Sequence, residues 1–321
     1  MTFSSGYTSC MVYYFAPIAE GLGDLLITLP ALEALISTGI PTYLVIRSPK
    51  QEGVAQCIPG LSGSLKEPEF LALTLKEDDR YINLRAHPLH LDNVLGSDKF
   101  IAKFGNLSIF EVFERIAKDF ITQDLGIVWD FKRYNPLPFN FRPDLEDKIL
   151  FVPGSAGEFK CWTKDGWIEL YSRLKQKNID CFVLGQPEKS KACAELLESG
   201  LPYFETATMQ DVLDVVSSSM GMVSVDTGLM HMSIQQGRPT VSLFLARAIF
   251  DRYQENCRVI KAPTCIDECL KWVKAEPSNF ADFPVFEEVL FFDCLASASN
   301  RCMNQVTVDQ VLNSLSELIH T

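Results

Sequence analysis

Residues 224–233 read SVDTGLMHMS and lie between two apolar runs, MGMV and PTVSLFL. The pattern predicts a buried strand ending at Asp226 and a helix opening at Thr227–Gly228. A helix start carries free backbone N–H groups and the positive end of the helix dipole, so it suits an anion such as phosphate. Gly228 lets a ligand come close to the backbone, and Thr227 adds a hydroxyl donor. Asp226 repels phosphate, so it either caps the helix or accepts hydrogen bonds from ligand hydroxyls. His231, three residues beyond Gly228, returns to the same helix face and can donate to a diphosphate. On spacing alone, a capped helix with a satisfied histidine is an equal alternative.

Three other groups of residues carry potential chemistry. Asp24 follows Gly21 and Gly23 at the expected start of a helix, the place of an N-cap aspartate. The run YINLRAHPLHLD sets Arg85, His87 and His90 just past a strand. Arg85 is either a bidentate receptor for an acceptor carboxylate or phosphate, or a surface side chain. The two histidines lack an evident third ligand and make a poor metal site. Cys265, Cys269, Cys294 and Cys302 gather in the last quarter of the chain. They suit a structural zinc or iron, although simple burial is the commoner use of a free cysteine.

The elements that must position these residues follow an α/β rhythm with parallel sheets. In the first half, MVYYFAPI reads as a strand, EGLGD as a tight loop and LLITLPALEALIST as a helix. Pro30 should kink that helix or displace its start. TYLVIR and YINLR read as further strands. The stretch Lys132–Asp147 has three prolines and mixed charge, the composition of a linker. After it, KILFVPGS and DCFVLGQ read as strands flanking a helix capped by Thr163. A helix stopped by Gly200 follows, and TMQDVLDVVSSS opens on a capping box. A last amphipathic helix, TVDQVLNSLSELIH, closes the chain.

Two Rossmann-like domains facing a central cleft result. Residues 1–145 form the first and residues 146–321 the second, the last helix being free to pack back towards the first. In such sheets ligands sit beyond the carboxyl ends of the strands.

Composition excludes several classes. The 321 residues are 47% hydrophobic and 22% charged, as in ordinary soluble domains. A formal net charge of −12 argues against a nucleic-acid grip or a polybasic membrane patch. MVYYFAPIA is too short to span a bilayer and lacks a basic flank. Ten cysteines spread along the chain point to reduced thiols in the cytoplasm. Membrane contact, if any, is peripheral and at the inner face.

SVDTGLMH resembles the D-T-G-x-x-H signature of the lipopolysaccharide heptosyltransferases, glycosyltransferase family nine. GDLLITLPALEAL is similar to that family's G-D-x-x-x-T-x-P-A-L segment, FVPGSAGEFKCW to its P-G-x…K-x-W segment, and FVLGQPE to the strand and turn that follow. RCMNQVTVDQVLNSL resembles its C-terminal stretch. The likeness covers most of the chain, and the combination is specific where each piece is weak.

The resemblance implies the GT-B architecture and inverting transfer of heptose from ADP-heptose to a hydroxyl of a glycan or lipid-linked acceptor. It implies that Asp24 is the general base. It further implies that Asp226, Thr227, Gly228 and His231 contact the donor, and that Lys160 neutralises phosphate charge on the leaving ADP. Ser155 and Glu188 are further donor-binding candidates, and Arg85 is the acceptor-binding one. No metal or cofactor is required for catalysis; the ADP-sugar is a co-substrate.

Two departures stand out. Many relatives carry a basic or hydroxyl residue before the G-D pair, whereas APIAEGLGD has Glu20 and no cation. After PTVSLF, where the family continues with glycine, this chain has Leu245, Ala246 and Arg247. Acidic side chains also outnumber basic ones from Met1 to Asp144. The alternatives are therefore an inactive nucleotide-sugar-binding protein, or a nucleotide-sugar epimerase or hydrolase of the same fold.

Overall fold

The computed structural model describes residues 11–84, 136–155, 157–245, 255–263 and 301–319, with parts of 114–127. The described residues fall into two compact units, and both carry an all-parallel sheet. The expected α/β fold class, with parallel sheets, is borne out.

In the first unit the strands are β1 (Tyr13–Ala16), β2 (Thr42–Ile46), β3 (Gly63–Lys66) and β4 (Arg80–Asn83), in the order β3-β2-β1-β4. Between them run α1 (Leu22–Ile36), α2 (Pro49–Ala55) and α3 (Glu67–Leu71). Strand order reverses between β1 and β4, which makes their carboxyl ends the place where such a sheet opens a crevice. Phe15 and Ala16 of β1 are fully buried, as its central position demands.

Pro30 does not displace the start of α1. The helix runs unbroken from Leu22, so the glycine loop is shorter than the sequence suggests: Gly21 is the N-cap and Asp24 lies in the first turn. Proline removes one backbone donor and costs about 3 kcal/mol in a helix interior. Eleven of the fifteen residues of α1 are buried, and each buried Leu or Ile side chain stabilises by roughly 1.5–3 kcal/mol. Burial wins.

In the second unit the strands are β5 (Lys148–Val152), β6 (Asp180–Val183), β7 (Gly221–Val225), β8 (Thr240–Phe244) and β9 (Cys257–Lys261), ordered β6-β5-β7-β8-β9. The helices are α4 (Lys164–Gln176), α5 (Lys191–Glu198), α6 (Met209–Ser218), α7 (Gly228–Gln235) and α8 (Val308–Ile319). Here the order reverses between β5 and β7. Local signals act as read. Thr163 accepts from the Gly166 amide at 3.1 Å, Thr208 and Asp211 form a capping box, and Gly200 follows α5 at φ +84°. Every residue of β7 and β8 is buried, the continuous apolar pattern of a strand covered on both faces. Trp167 packs on Phe151 with ring centroids 5.1 Å apart, and Val311 and Leu315 of α8 enter the same core.

Residues 137–142 are strapped onto this second unit. The Leu137 amide donates to Gln236 Oε1 at 2.7 Å, and Gln236 Nε2 donates back to the Leu137 carbonyl at 2.9 Å. Asn140 donates through its amide and its side chain to the Asp214 carboxylate at 2.9 and 3.0 Å, and the Arg142 amide donates to Ser218 Oγ. Burial alone would raise the Asp214 pKa, but hydrogen bonds from Asn140 and Gln210 outweigh it and hold the carboxyl below its ordinary value. Among the described residues no helix is long and apolar enough to cross a membrane.

Candidate functional site

The reversal point of the second sheet gathers six of the residues singled out in the sequence. β5 and β7 are hydrogen-bonded neighbours, with Val152 in register with Ser224, so the loops leaving their carboxyl ends must meet. They do: Ser155 Oγ donates to the Asp226 carbonyl at 2.7 Å. Beyond Ser155, a 3-10 turn spans Glu158–Lys160. Phe159 within it and Trp162 just after it are buried, and the Trp162 indole donates to the Val306 carbonyl at 2.9 Å. These apolar anchors hold the turn so that Lys160 Nζ reaches Asp226 Oδ2 at 2.9 Å. The two side chains are 24% and 12% exposed, half-sunk yet open to an incoming ligand.

Thr227 is the N-cap of α7, and its hydroxyl makes no capping hydrogen bond. Asp226 therefore does not serve as the cap; its carboxylate is turned to Lys160. The first three amides of a helix have no intrahelical acceptor. With no cap from Thr227, those of α7 suit an anion beside an ammonium group. His231 lies one turn along, 4% exposed, and its amide bonds to the Thr227 carbonyl at 3.4 Å. Gly154 allows the β5 loop to pass the start of α5. A Cβ there would meet Ser190 Oγ at 2.3 Å and Cys193 Sγ at 3.1 Å. Together these groups can hold a doubly charged phosphate ester, with the Asp226 carboxylate beside it to receive hydroxyls.

At the reversal point of the first sheet, Asp24 occupies the third position of α1. Its Oδ2 accepts from the Gly21 amide at 2.8 Å. A Cβ on Gly21 would lie 2.6 Å from that oxygen, so glycine is required for the contact. Three residues that the sequence reading passed over hold the loop in front of Asp24. Arg47 Nη1 donates to the Pro17 carbonyl at 3.2 Å, Ser48 Oγ to the Glu20 carbonyl at 2.6 Å, and Gln51 Nε2 to the Ala19 and Gly21 carbonyls at 2.9 and 3.3 Å. The one signal for Arg47 was a cation ending the buried run TYLVIR. Arg47, just past β2, is the cation beside this loop, and it is paired with Glu67.

Glu188 sits exposed in the turn after β6. Cys302 is buried in the core of the second unit, 3% exposed. Arg85, His87, His90, Arg247, Cys265, Cys269 and Cys294 lie outside the described residues. Among the described residues no group of three or more His, Cys, Asp or Glu side chains is placed to hold a metal ion.

Residues 106–252 match the family model described as glycosyltransferase family 9 (heptosyltransferase). The segment contains Ser155, Lys160, Glu188 and the Asp226–His231 corner. Lipopolysaccharide heptosyltransferase 1 of Escherichia coli K12 is 26% identical over 130 residues, 39% of this chain; the match spans 40% of the relative's length. The solved structure of E. coli heptosyltransferase WaaC with ADP-2-deoxy-2-fluoro heptose is similar over 96% of this chain and 99% of that one, with a TM-score of 0.61 at 17% identity. E. coli ADP-heptose lps heptosyltransferase II gives a TM-score of 0.61 over 97% and 98% of the two chains, at 14% identity. The fold is therefore the GT-B fold of these heptosyltransferases, and the resemblance to glycosyltransferase family 9 carried by the motifs is borne out.

Proposed function

We propose that the protein is an inverting glycosyltransferase that moves a heptose from ADP-heptose to a hydroxyl of a glycan or lipopolysaccharide-like acceptor. The observation that carries this reading is the meeting of Lys160 with the start of α7 at Asp226. An ammonium group and oriented amides stabilise charge that develops on a departing diphosphate. The acceptor oxygen forms its bond to the anomeric carbon as the bond from that carbon to the phosphate oxygen breaks. ADP leaves with the electron pair, and the acceptor's proton passes to the Asp24 carboxylate. The proton departs only as the new bond forms, so an ordinary carboxylate suffices.

Lys160 fills the role that a divalent cation fills in other transferases, so transfer proceeds without a metal. The bound ADP-fluoroheptose of the WaaC structure supports the choice of donor. Ten cysteines spread along the chain fit a reducing, cytoplasmic location.

A thermal-shift series with ADP, UDP and GDP tests the donor. ADP should raise the melting temperature most, by mass action on the folded state. Incubation with ADP-heptose and acceptor in EDTA should still yield glycosylated product. Preference for UDP or GDP would remove the donor assignment. ADP release without a glycosylated product would make the protein a hydrolase.

A further inference from the structure

We infer that Arg47, assisted by Ser48 and Gln51, is a positioning residue for the Asp24 carboxylate; this rests on the reading of Asp24 as the base. The Arg47 side chain is 2% exposed, and a guanidinium is costly to bury unless its donors are met. They are met in three directions. Nε donates to Glu67 Oε1 at 3.0 Å, Nη1 to the Pro17 carbonyl at 3.2 Å, and Nη2 to Asn83 Oδ1 at 2.9 Å. Pro17 leaves β1 and Asn83 ends β4, so one planar group joins both sides of the point where strand order reverses.

The same segment grips the rest of the loop. The Arg47 amide donates to Gln51 Oε1 at 3.0 Å, which orients the Gln51 carboxamide to donate to the Ala19 and Gly21 carbonyls. Ser48 takes the Glu20 carbonyl. Four carbonyls of the loop 17–21 are thus bound from the β2–α2 junction. The Glu20 carbonyl held by Ser48 and the Gly21 amide belong to one planar peptide, and that amide is the donor that holds Asp24 Oδ2. The chain of contacts runs from guanidinium to loop, from loop to amide, and from amide to carboxylate. A displacement of about 1 Å in a reacting group costs on the order of 100-fold in rate, so slack in this loop reaches the chemistry. Lysine keeps the charge but not the planar fork and cannot serve three acceptors so placed.

The test is a double-mutant cycle on the full chain, with Arg47→Lys, Asp24→Asn and the pair, read as kcat and donor KM. Arg47→Lys should lower kcat roughly tenfold or more, within the range for misplaced catalytic groups, and leave donor KM unchanged. In the Asp24→Asn background it should lower transfer no further, because the carboxylate it positions is gone. A loss that multiplies in both backgrounds, or a rise in donor KM with kcat intact, would overturn the inference. Should Arg47→Lys fail to fold, Ser48→Ala removes one exposed contact and carries the same cycle with a smaller loss, about twofold to fivefold. Near-wild-type transfer by Asp24→Asn alone would instead dismiss the base assignment, and the positioning role with it.

Discussion

The Pro17–Gly21 loop and the Asp226–Gly228 corner both leave the carboxyl end of a strand at a point where its sheet reverses order. In the first, side chains from the neighbouring β2–α2 junction bind the loop's carbonyls, and the Asp24 carboxylate is held by a backbone amide. In the second, the Lys160 and Asp226 charges are paired with each other and Thr227 makes no capping hydrogen bond. The first region is organised before any ligand arrives. In the proposed function the second exchanges partners when an anion enters, Lys160 passing from carboxylate to phosphate. On the proposed function, orientation of a base is supplied in advance, whereas recognition of a dianion comes from charges that release one another.

The largest effect expected on this contrast is at its rigid end. Asp24→Asn keeps the shape and removes the base, so kcat should fall by about 10²–10⁴-fold, the usual contribution of a general base. ADP binding, measured by calorimetry, should stay as in the unaltered protein. A comparable loss of ADP affinity would show that the two regions are not separable in function.

The exchanging end should respond to Asp226→Asn in two opposite senses. Removing the carboxylate releases the Lys160 ammonium and removes a like charge beside the diphosphate. ADP should then bind more tightly, by about tenfold if one charge contact near 1.4 kcal/mol is gained. The intact nucleotide sugar should lose affinity relative to ADP, because an acceptor of sugar hydroxyls is gone. Equal changes for ADP and ADP-heptose would show that Asp226 does not face the sugar.

The smallest effect concerns the strap over residues 137–142. The Asp214 carboxyl is held below its ordinary value in the folded protein. Its contribution is therefore fully present above the unfolded value near 4 and is lost as pH falls through the lower folded value. Limited proteolysis should show increased cleavage near residues 137–142 only below about pH 4. Cleavage that rises at neutral pH would mean the strap is held by something else.

The elements of the second unit were largely legible because their signals are local. Thr163, Thr208 and Gly200 act on amides and carbonyls within four residues, and apolar runs such as MGMVSV and PTVSLF can only be buried strands. β3 escaped because GSLK alternates half-buried with exposed residues and has no apolar run. β9, CRVIK, is similarly mixed. The early start of α1 escaped because two glycines disguise a first turn that Asp24 stabilises from within. At the Asp226–Gly228 corner, residue types and strand-to-helix position were legible, but the partner of Asp226 was not. A carboxylate before a helix reads as a cap, and the lysine that takes it lies 66 residues away.

The sequence by itself determined most of the strands and helices in the second unit, where a helix start suited to an anion would fall, and which residue types stand there. Those properties depend on neighbours a few bonds apart. Only the tertiary structure decided that Ser155 and Lys160 meet Asp226, and that Arg47 joins Pro17 to Asn83. Such pairings depend on strand order, and strand order is settled when whole sheets bury their faces, a choice no single segment encodes.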